Sequence, residues 1–268
     1  MRGSELSQVR CLPLFRSMAD ESFSTLMRAA YDQTFPAYLR LIEEGSAAHF
    51  LHIVLEGSVE LYASWQDRET TMAVVRPVST FILAACITDA PYLMSARTLE
   101  NTRVILVPSV DLRAVFQVDH EFATATITEL AASFRSVVRH TKDIKLRNAR
   151  ERLAAYILRM TRDNKGASFI IPVEKRLLAS YLGITPESLS RTMKSLQVAG
   201  AKVDGQRIIV TDRHALEAVA HSSPLIDGPD SDGARTAFAG LSRDDDRGIE
   251  APSPAGSKSR RPGTSGSP

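Results

Sequence analysis

The chain has 268 residues, 44% hydrophobic and 24% charged, an ordinary globular composition with room for one large domain or two modest ones. No run approaches the roughly 18–20 consecutive apolar residues of a membrane span, and the N-terminus MRGSELSQVR carries no apolar signal block. Only Cys11 and Cys86 are present, so one chain supplies neither a disulfide framework nor a four-cysteine metal site, and a reducing, cytoplasmic setting without membrane is expected. The net charge of +2 hides an asymmetry, because Thr141 to Arg213 holds 15 Lys and Arg against 7 Asp and Glu.

Residues 1–35 contain two helical patterns, SELSQVRCLPLF and DESFSTLMRAAY, the second with an acidic start and Phe23, Leu26 and Ala30 at helical spacing. From 36 to 110 the pattern changes to short β-type runs: HFLHIVLEG, SVELYASW, ETTMAVVRP, FILAAC, YLMSARTLE and TRVILVP. Turn residues such as Gly45, Gly57, Asp67 and Pro77 separate them, and strands so closely spaced predict a small antiparallel barrel or roll. From about Asp119, Ile127, Leu130, Phe134, Val137, Thr141 and Ile144 follow alternating steps of three and four. That is a heptad seam suited to a two-stranded coiled coil, although the same stripe can pack on the chain's own roll. A further helix, about 149–162, places Leu153, Tyr156, Ile157 and Met160 on one face and stops at DNKG.

Glu174 to Leu182 then reads as a short helix, Gly183 as a sharp turn, and Thr185-Pro186 as a cap followed by proline at the first helical position. This is a helix-turn-helix. In its second helix Leu189, Thr192, Met193 and Leu196 form the inward stripe, while Glu187, Ser190, Arg191 and Lys194 share the opposite face from the capped end onward. Arg pairs bidentately with guanine and Glu accepts from the cytosine amino group, so Glu187 and Arg191, one turn apart, can read adjacent base pairs in a major groove. AKVDGQRIIVTD places Asp204-Gly205 as a turn between two strands, which makes the unit a winged helix. Lys175, Arg176, Lys194, Lys202 and Arg207 flank it as phosphate contacts, with Thr185 and Ser188 beside them.

This order of parts, carried by LIEEGSAAHFLHIVLEGSVEL and LLASYLGITPESLSRTMKSL over roughly residues 8–220, resembles the Crp/Fnr family of transcription regulators. The wording of the chain is also similar to its FtrB-like subgroup. The resemblance implies an α+β fold: a cyclic-nucleotide-binding-like β-roll sensor with N-terminal helices (1–118), a dimerisation helix (119–145) and a winged helix-turn-helix (146–221). Residues 222–268, rich in Ser, Gly, Pro and charge, are expected to be a disordered tail. The ExxSR arrangement of Glu187, Ser190 and Arg191 is similar to the Fnr branch, which implies a palindrome close to TTGAT-N4-ATCAA. Double-stranded DNA, a second copy of the chain and, for an activator, RNA polymerase are the implied partners.

Family members that bind cyclic nucleotides carry Gly-Glu and Arg-Ser pairs where this chain has Leu83-Ala84 and Met94-Ser95. A buried phosphate without a positive partner is costly, so cyclic AMP is not expected. Ile82, Leu83, Ala84, Tyr92, Met94 and Ser95 remain a candidate apolar effector pocket, or else part of a filled core. The iron–sulfur branch needs an N-terminal cysteine cluster, which Cys11 alone does not supply. A haem-dependent gas sensor stays open, its axial ligand drawn from His49, His52, His140, a cysteine or Met94. No metal site is expected, and no triad spacing, P-loop, zinc-type cluster or dinucleotide fingerprint points to an enzyme. The reading from another class is a ligand-binding regulatory module whose helix-turn-helix serves protein contact.

Overall fold

The computed structural model describes residues 3–163, 167–171 and 173–228. Three helices open the chain: α1 (Gly3–Arg10), α2 (Pro13–Arg16) and α3 (Asp20–Ala29). Their apolar sides face one another, with Phe15 meeting Phe23 edge-on at 6.2 Å and stacking on Phe122 at 6.1 Å. The strands follow as β1 (Tyr31–Phe35), β2 (Arg40–Ile42), β3 (Phe50–Glu56), β4 (Val59–Trp65), β5 (Arg68–Val75) and β6 (Ser79–Phe81). After a helix, α4 (Leu83–Thr88), come β7 (Ser95–Thr98) and β8 (Thr102–Pro108).

They form two four-stranded sheets, ordered β1-β8-β3-β6 and β2-β7-β4-β5, with every pairing antiparallel. Leu51 to Leu55 are buried on both faces of β3, which explains an apolar run broken only by the buried His52. Gly57 turns β3 into β4 at φ +79°, and a Cβ there would lie 2.5 Å from the Asn101 carbonyl, so only glycine lets the two turns touch.

Two local expectations are corrected, and one helix lies where none was expected. FILAAC is not a strand beyond Phe81: Ile82 takes a left-handed conformation and Leu83–Thr88 is helical, with Leu83 and Cys86 buried one turn apart. Tyr31–Phe35, read partly as helix, pairs along β8 instead. Ser109–Val118 forms a helix, α5, ahead of the long one.

The long helix is α6 (His120–Leu146). Asp119 caps it by accepting from the Phe122 N–H (2.9 Å), and its other oxygen accepts from the Ala19 N–H (3.0 Å), so one carboxylate ties the helix start to the N-terminal helices. Burial raises the Asp119 carboxyl, but the Phe122 N–H, the Ser22 hydroxyl and the Ala19 N–H prevail and hold it below its usual range.

The second core gathers α7 (Ala149–Asp163), β9 (Ser168–Ile170), α8 (Lys175–Tyr181), α9 (Pro186–Leu196), β10 (Ala201–Asp204), β11 (Arg207–Val210) and α10 (Arg213–Ala220). The sheet order is β10-β11-β9. Asp204 pairs with Arg207, so the wing turn is Gly205-Gln206, one residue later than the sequence suggests. A further helix, α11 (Pro224–Asp227), corrects the start of the expected tail, because hydrogen bonds hold residues 223–228 against α6 and α7. The disorder expected for 229–268 lies outside the described residues.

The two cores touch. Val74 of β5 packs into the second core, the Thr71 N–H donates to Ser180 Oγ (2.7 Å), and His140 of α6 stacks on Tyr181 at 4.9 Å.

Burial fixes one pH response of the roll. His52, 4% exposed against Phe81 at 4.9 Å, has its imidazole lowered to about 4 by burial, which outweighs a contact with the Phe50 backbone. The unfolded chain takes up that proton near 6.5 and the folded chain only near 4, so the unfolded state binds more protons in between. Stability therefore rises with pH across this window, and acidification from pH 6.5 to 4 is expected to cost about 3 kcal/mol through this residue. Urea unfolding at stepped pH checks it: His52→Leu is expected to flatten that slope, and an unchanged slope would contradict the assignment.

Candidate nucleic-acid interface

The exposed face of α9 is built by its first turn. The Thr185 hydroxyl accepts from the Ser188 N–H (3.2 Å) and Pro186 occupies the first turn, where a missing N–H costs nothing. Leu189, Met193 and Leu196 are buried and Thr192 is half-buried, so the inward stripe is as expected. Glu187, Ser190, Arg191 and Lys194 are all exposed on the other side. The Arg191 guanidinium reaches Ser188 Oγ at 3.3 Å, one turn back toward the cap. The Glu187 carboxyl lies below its usual range, held there by its own backbone N–H, then the Thr185 hydroxyl, with a smaller contribution from Arg191. An ionised acceptor and a forked donor thus share one outward surface at a helix N-terminus, the arrangement that reads base edges.

Lys175 and Arg176 are exposed at the start of α8, Lys202 on β10 and Arg207 on β11. All four are exposed cations of the kind that suit phosphate contact.

The turn between α8 and α9 is fixed from outside. Gly183 sits at φ +63°, and a Cβ there would come within 3.2 Å of Ile144 Cδ1 on α6. Arg152, buried on α7, was not singled out from sequence. Its Nε donates to the Leu182 carbonyl (2.8 Å) and its terminal nitrogens to the carbonyls of Arg147 (2.5 Å), Ile144 (3.3 Å) and Gly183 (3.5 Å). One guanidinium therefore links the end of α6 to the turn that aims α9. The available signal was an arginine directly before Leu153 in a helix whose residues 152–158 are all buried.

The heptad stripe of α6 divides. Ile127, Phe134 and Val137 are exposed (62%, 69% and 40%), joined by Val138, and Thr141 is exposed beside them. Leu130 packs on the roll core, and Ile144 faces the Gly183 turn.

The candidate effector residues are similarly divided. Leu83 and Tyr92 are buried in the roll core with Ile82 and Met94 packed against it, while Ala84 is exposed. Ser95 Oγ accepts from the Glu44 N–H (3.0 Å), and the Tyr92 hydroxyl donates to the Phe50 carbonyl (3.3 Å). Among the described residues no three His, Cys, Asp or Glu side chains are grouped to hold a metal. His52 lies inside the roll, His140 against Tyr181, Cys11 at the surface and Cys86 in the core, where burial raises its thiol pKa.

Residues 151–219 match the model of a Crp-like helix-turn-helix domain, and residues 32–119 match that of the cyclic nucleotide-binding domain. A curated relative, Electron transport regulator A of Shewanella oneidensis, is 36% identical over 85 residues, 30% of this chain and 34% of the relative. The match thus spans about a third of that relative's length. FixK2 from Bradyrhizobium japonicum superposes with a TM-score of 0.63 at 22% identity, covering 72% of this chain and 98% of the other. A CooA mutant from Carboxydothermus hydrogenoformans gives 0.63 at 15% identity, over 72% and 89%. A CRP-family transcriptional regulator from Thermus thermophilus gives 0.56 at 22%, over 71% and 97%. At these identities the structural likeness establishes the fold.

Replacing Arg152 by Met keeps the stem and removes every donor from these carbonyls. Hydrogen bonds from charged groups contribute about 1.5–3 kcal/mol, and buried acceptors left alone add to the loss. Arg152→Met is expected to destabilise the protein by about 3 kcal/mol in urea, and a loss below experimental error would contradict the bracing role.

Proposed function

Because the chain belongs to the Crp/Fnr family of transcription regulators, with its DNA-binding helix-turn-helix and cyclic nucleotide-binding domain, we propose that it acts as a homodimer on a palindrome close to TTGAT-N4-ATCAA. One observation carries this reading: Glu187, Ser190 and Arg191 are exposed together on the capped N-terminal half of α9, whose inner stripe is packed. Arg191 pairs with guanine, Glu187 accepts from a cytosine amino group, and Ser190 sits between them to either strand. Lys175, Arg176, Lys194, Lys202 and Arg207 neutralise phosphates and set register. Two copies meet along Ile127, Phe134, Val137 and Val138, whose exposure on one chain supports a partner there. The dimer sets the two recognition helices one DNA turn apart. Contact with RNA polymerase would make the same dimer an activator.

The effector, on this reading, is something other than cyclic AMP, or none. Ser95 is already engaged by the Glu44 amide, and the next arginine along β7, Arg97, is tied to Glu60 (2.7 Å) and Glu69 (2.9 Å). A cyclic phosphate entering here would find no uncommitted guanidinium close in sequence to Ser95.

Two measurements test the proposal. Arg191→Ala is expected to weaken binding to the palindrome by about 1–3 kcal/mol and to relax its guanine preference, with random DNA nearly unaffected. Fluorescence anisotropy over a salt series reads both, and equal losses on the two DNAs would exclude base reading. Phe134→Asp is expected to halve the sedimenting mass and abolish palindrome binding. An unchanged mass would exclude this dimer face.

A further inference from the structure

The elbow between α6 and α7 is two residues long. Arg147 ends α6 in an extended conformation, and Asn148 starts α7, its side-chain oxygen accepting from the N–H groups of Arg150 (2.9 Å) and Glu151 (3.1 Å). Every rotation of the wing domain relative to the long helix passes through this joint. Arg147 is 7% exposed, and its guanidinium forks onto Asp227, at 2.7 Å to one oxygen and 2.6 Å to the other. It also reaches Asp143 (3.0 Å), one turn back on α6, and the His221 carbonyl (3.2 Å). Asp227 lies 80 residues on, past the winged helix. Its second oxygen accepts from the Ser223 N–H (2.8 Å), and its own carbonyl accepts from Arg162 on α7 (2.6 Å). Burial raises the Asp227 carboxyl, but Arg147 and the Ser223 N–H outweigh it and hold the group ionised below its usual range.

The manner of attachment matters. No side chain of α11 is buried, Leu225 is 74% exposed, and an open cleft of about 400 Å³, lined by Ala155, Leu158 and Arg213, lies beside the segment. Residues 223–228 are thus held by charge and directed hydrogen bonds and add no apolar side chain to either core. Such a segment constrains geometry through polar contacts, and a forked Arg–carboxylate pair is directional enough to do so.

We propose that Ser223–Gly228 is a positioning strap: Asp227 holds Arg147 across the α6–α7 elbow and so sets the separation of the two recognition helices in the dimer. Asp227 touches no base and acts through Arg147. The idea rests on the dimeric, palindrome-reading function proposed above, and its test separates the two.

Asp227→Ala in the full chain is compared with the unaltered protein on palindromes whose central spacer runs from two to six base pairs, and on a single half-site. The expected result is about a tenfold loss on the best palindrome, a flattened spacer preference, unchanged half-site affinity and a lowered melting temperature, because Arg147 keeps only Asp143 as a charged partner. Asp227→Glu, which keeps the carboxylate, is expected to restore most of the spacer preference. Equal losses on palindrome and half-site, or no loss on either, would overturn the strap. Hydrogen exchange of residues 143–152 provides a readout without DNA, expected to quicken about tenfold in Asp227→Ala, and unchanged exchange overturns the proposal. If the unaltered protein shows no palindrome preference, the proposed function fails while the exchange experiment still decides whether Asp227 holds the elbow.

Discussion

A buried guanidinium that finds only main-chain carbonyls governs how this molecule holds together. Among the described residues, the hydrogen bonds of Arg152 go to Ile144 and Arg147 at the end of α6 and to Leu182 and Gly183 at the helix-turn-helix turn. Both groups of acceptors sit at helix C-termini, where carbonyls lack intrahelical partners and carry partial negative charge. A cation buried there satisfies orphan acceptors from two elements at once and compensates its own desolvation. Arg147 works from the α6 side, reaching past the winged helix to the Asp227 carboxylate and to the His221 carbonyl. The joint is crossed by two arginines running in opposite directions.

That bracing gives the outward face of α9 its meaning. On the proposed function, base reading needs its donors and acceptors carried on a fixed backbone, which a capped start and a packed inner stripe supply. Glu187 is kept ionised by groups of its own turn, so its acceptor character is intrinsic to α9. The roll contributes through β5 and α6, which lie against α8, and only indirectly through its interior.

Much of this was legible because period and punctuation carry it. The recognition helix announces itself through Thr185-Pro186 and the opposed stripes of Leu189, Met193, Leu196 and Glu187, Arg191, Lys194, each a local rule. Errors arose where local patterns were ambiguous or the deciding contact was distant. FILAAC is a short apolar run that strand and helix share, and the left-handed turn at Ile82 settled it. The wing turn shifted by one because the register depends on pairing with β11 and β9. Leu130 and Ile144 fit a heptad as well as Phe134 does, yet the roll and the Gly183 turn claim them, which periodicity alone does not reveal. Arg147 and Asp227 are 80 positions apart, and no pattern in either neighbourhood pairs them.

The contact between Thr71 and Ser180 has a further side. β5 is the last strand of its sheet, and an outer strand presents unpaired N–H and C=O groups that can recruit any extended chain. Here α8 covers part of that rim and Ser180 occupies one of its donors. Swinging the wing domain away would therefore do more than re-aim α9. It would uncover a pairing-competent rim, along with the apolar surface of Val74. Any such opening would carry the exposure of an unpaired strand edge with it.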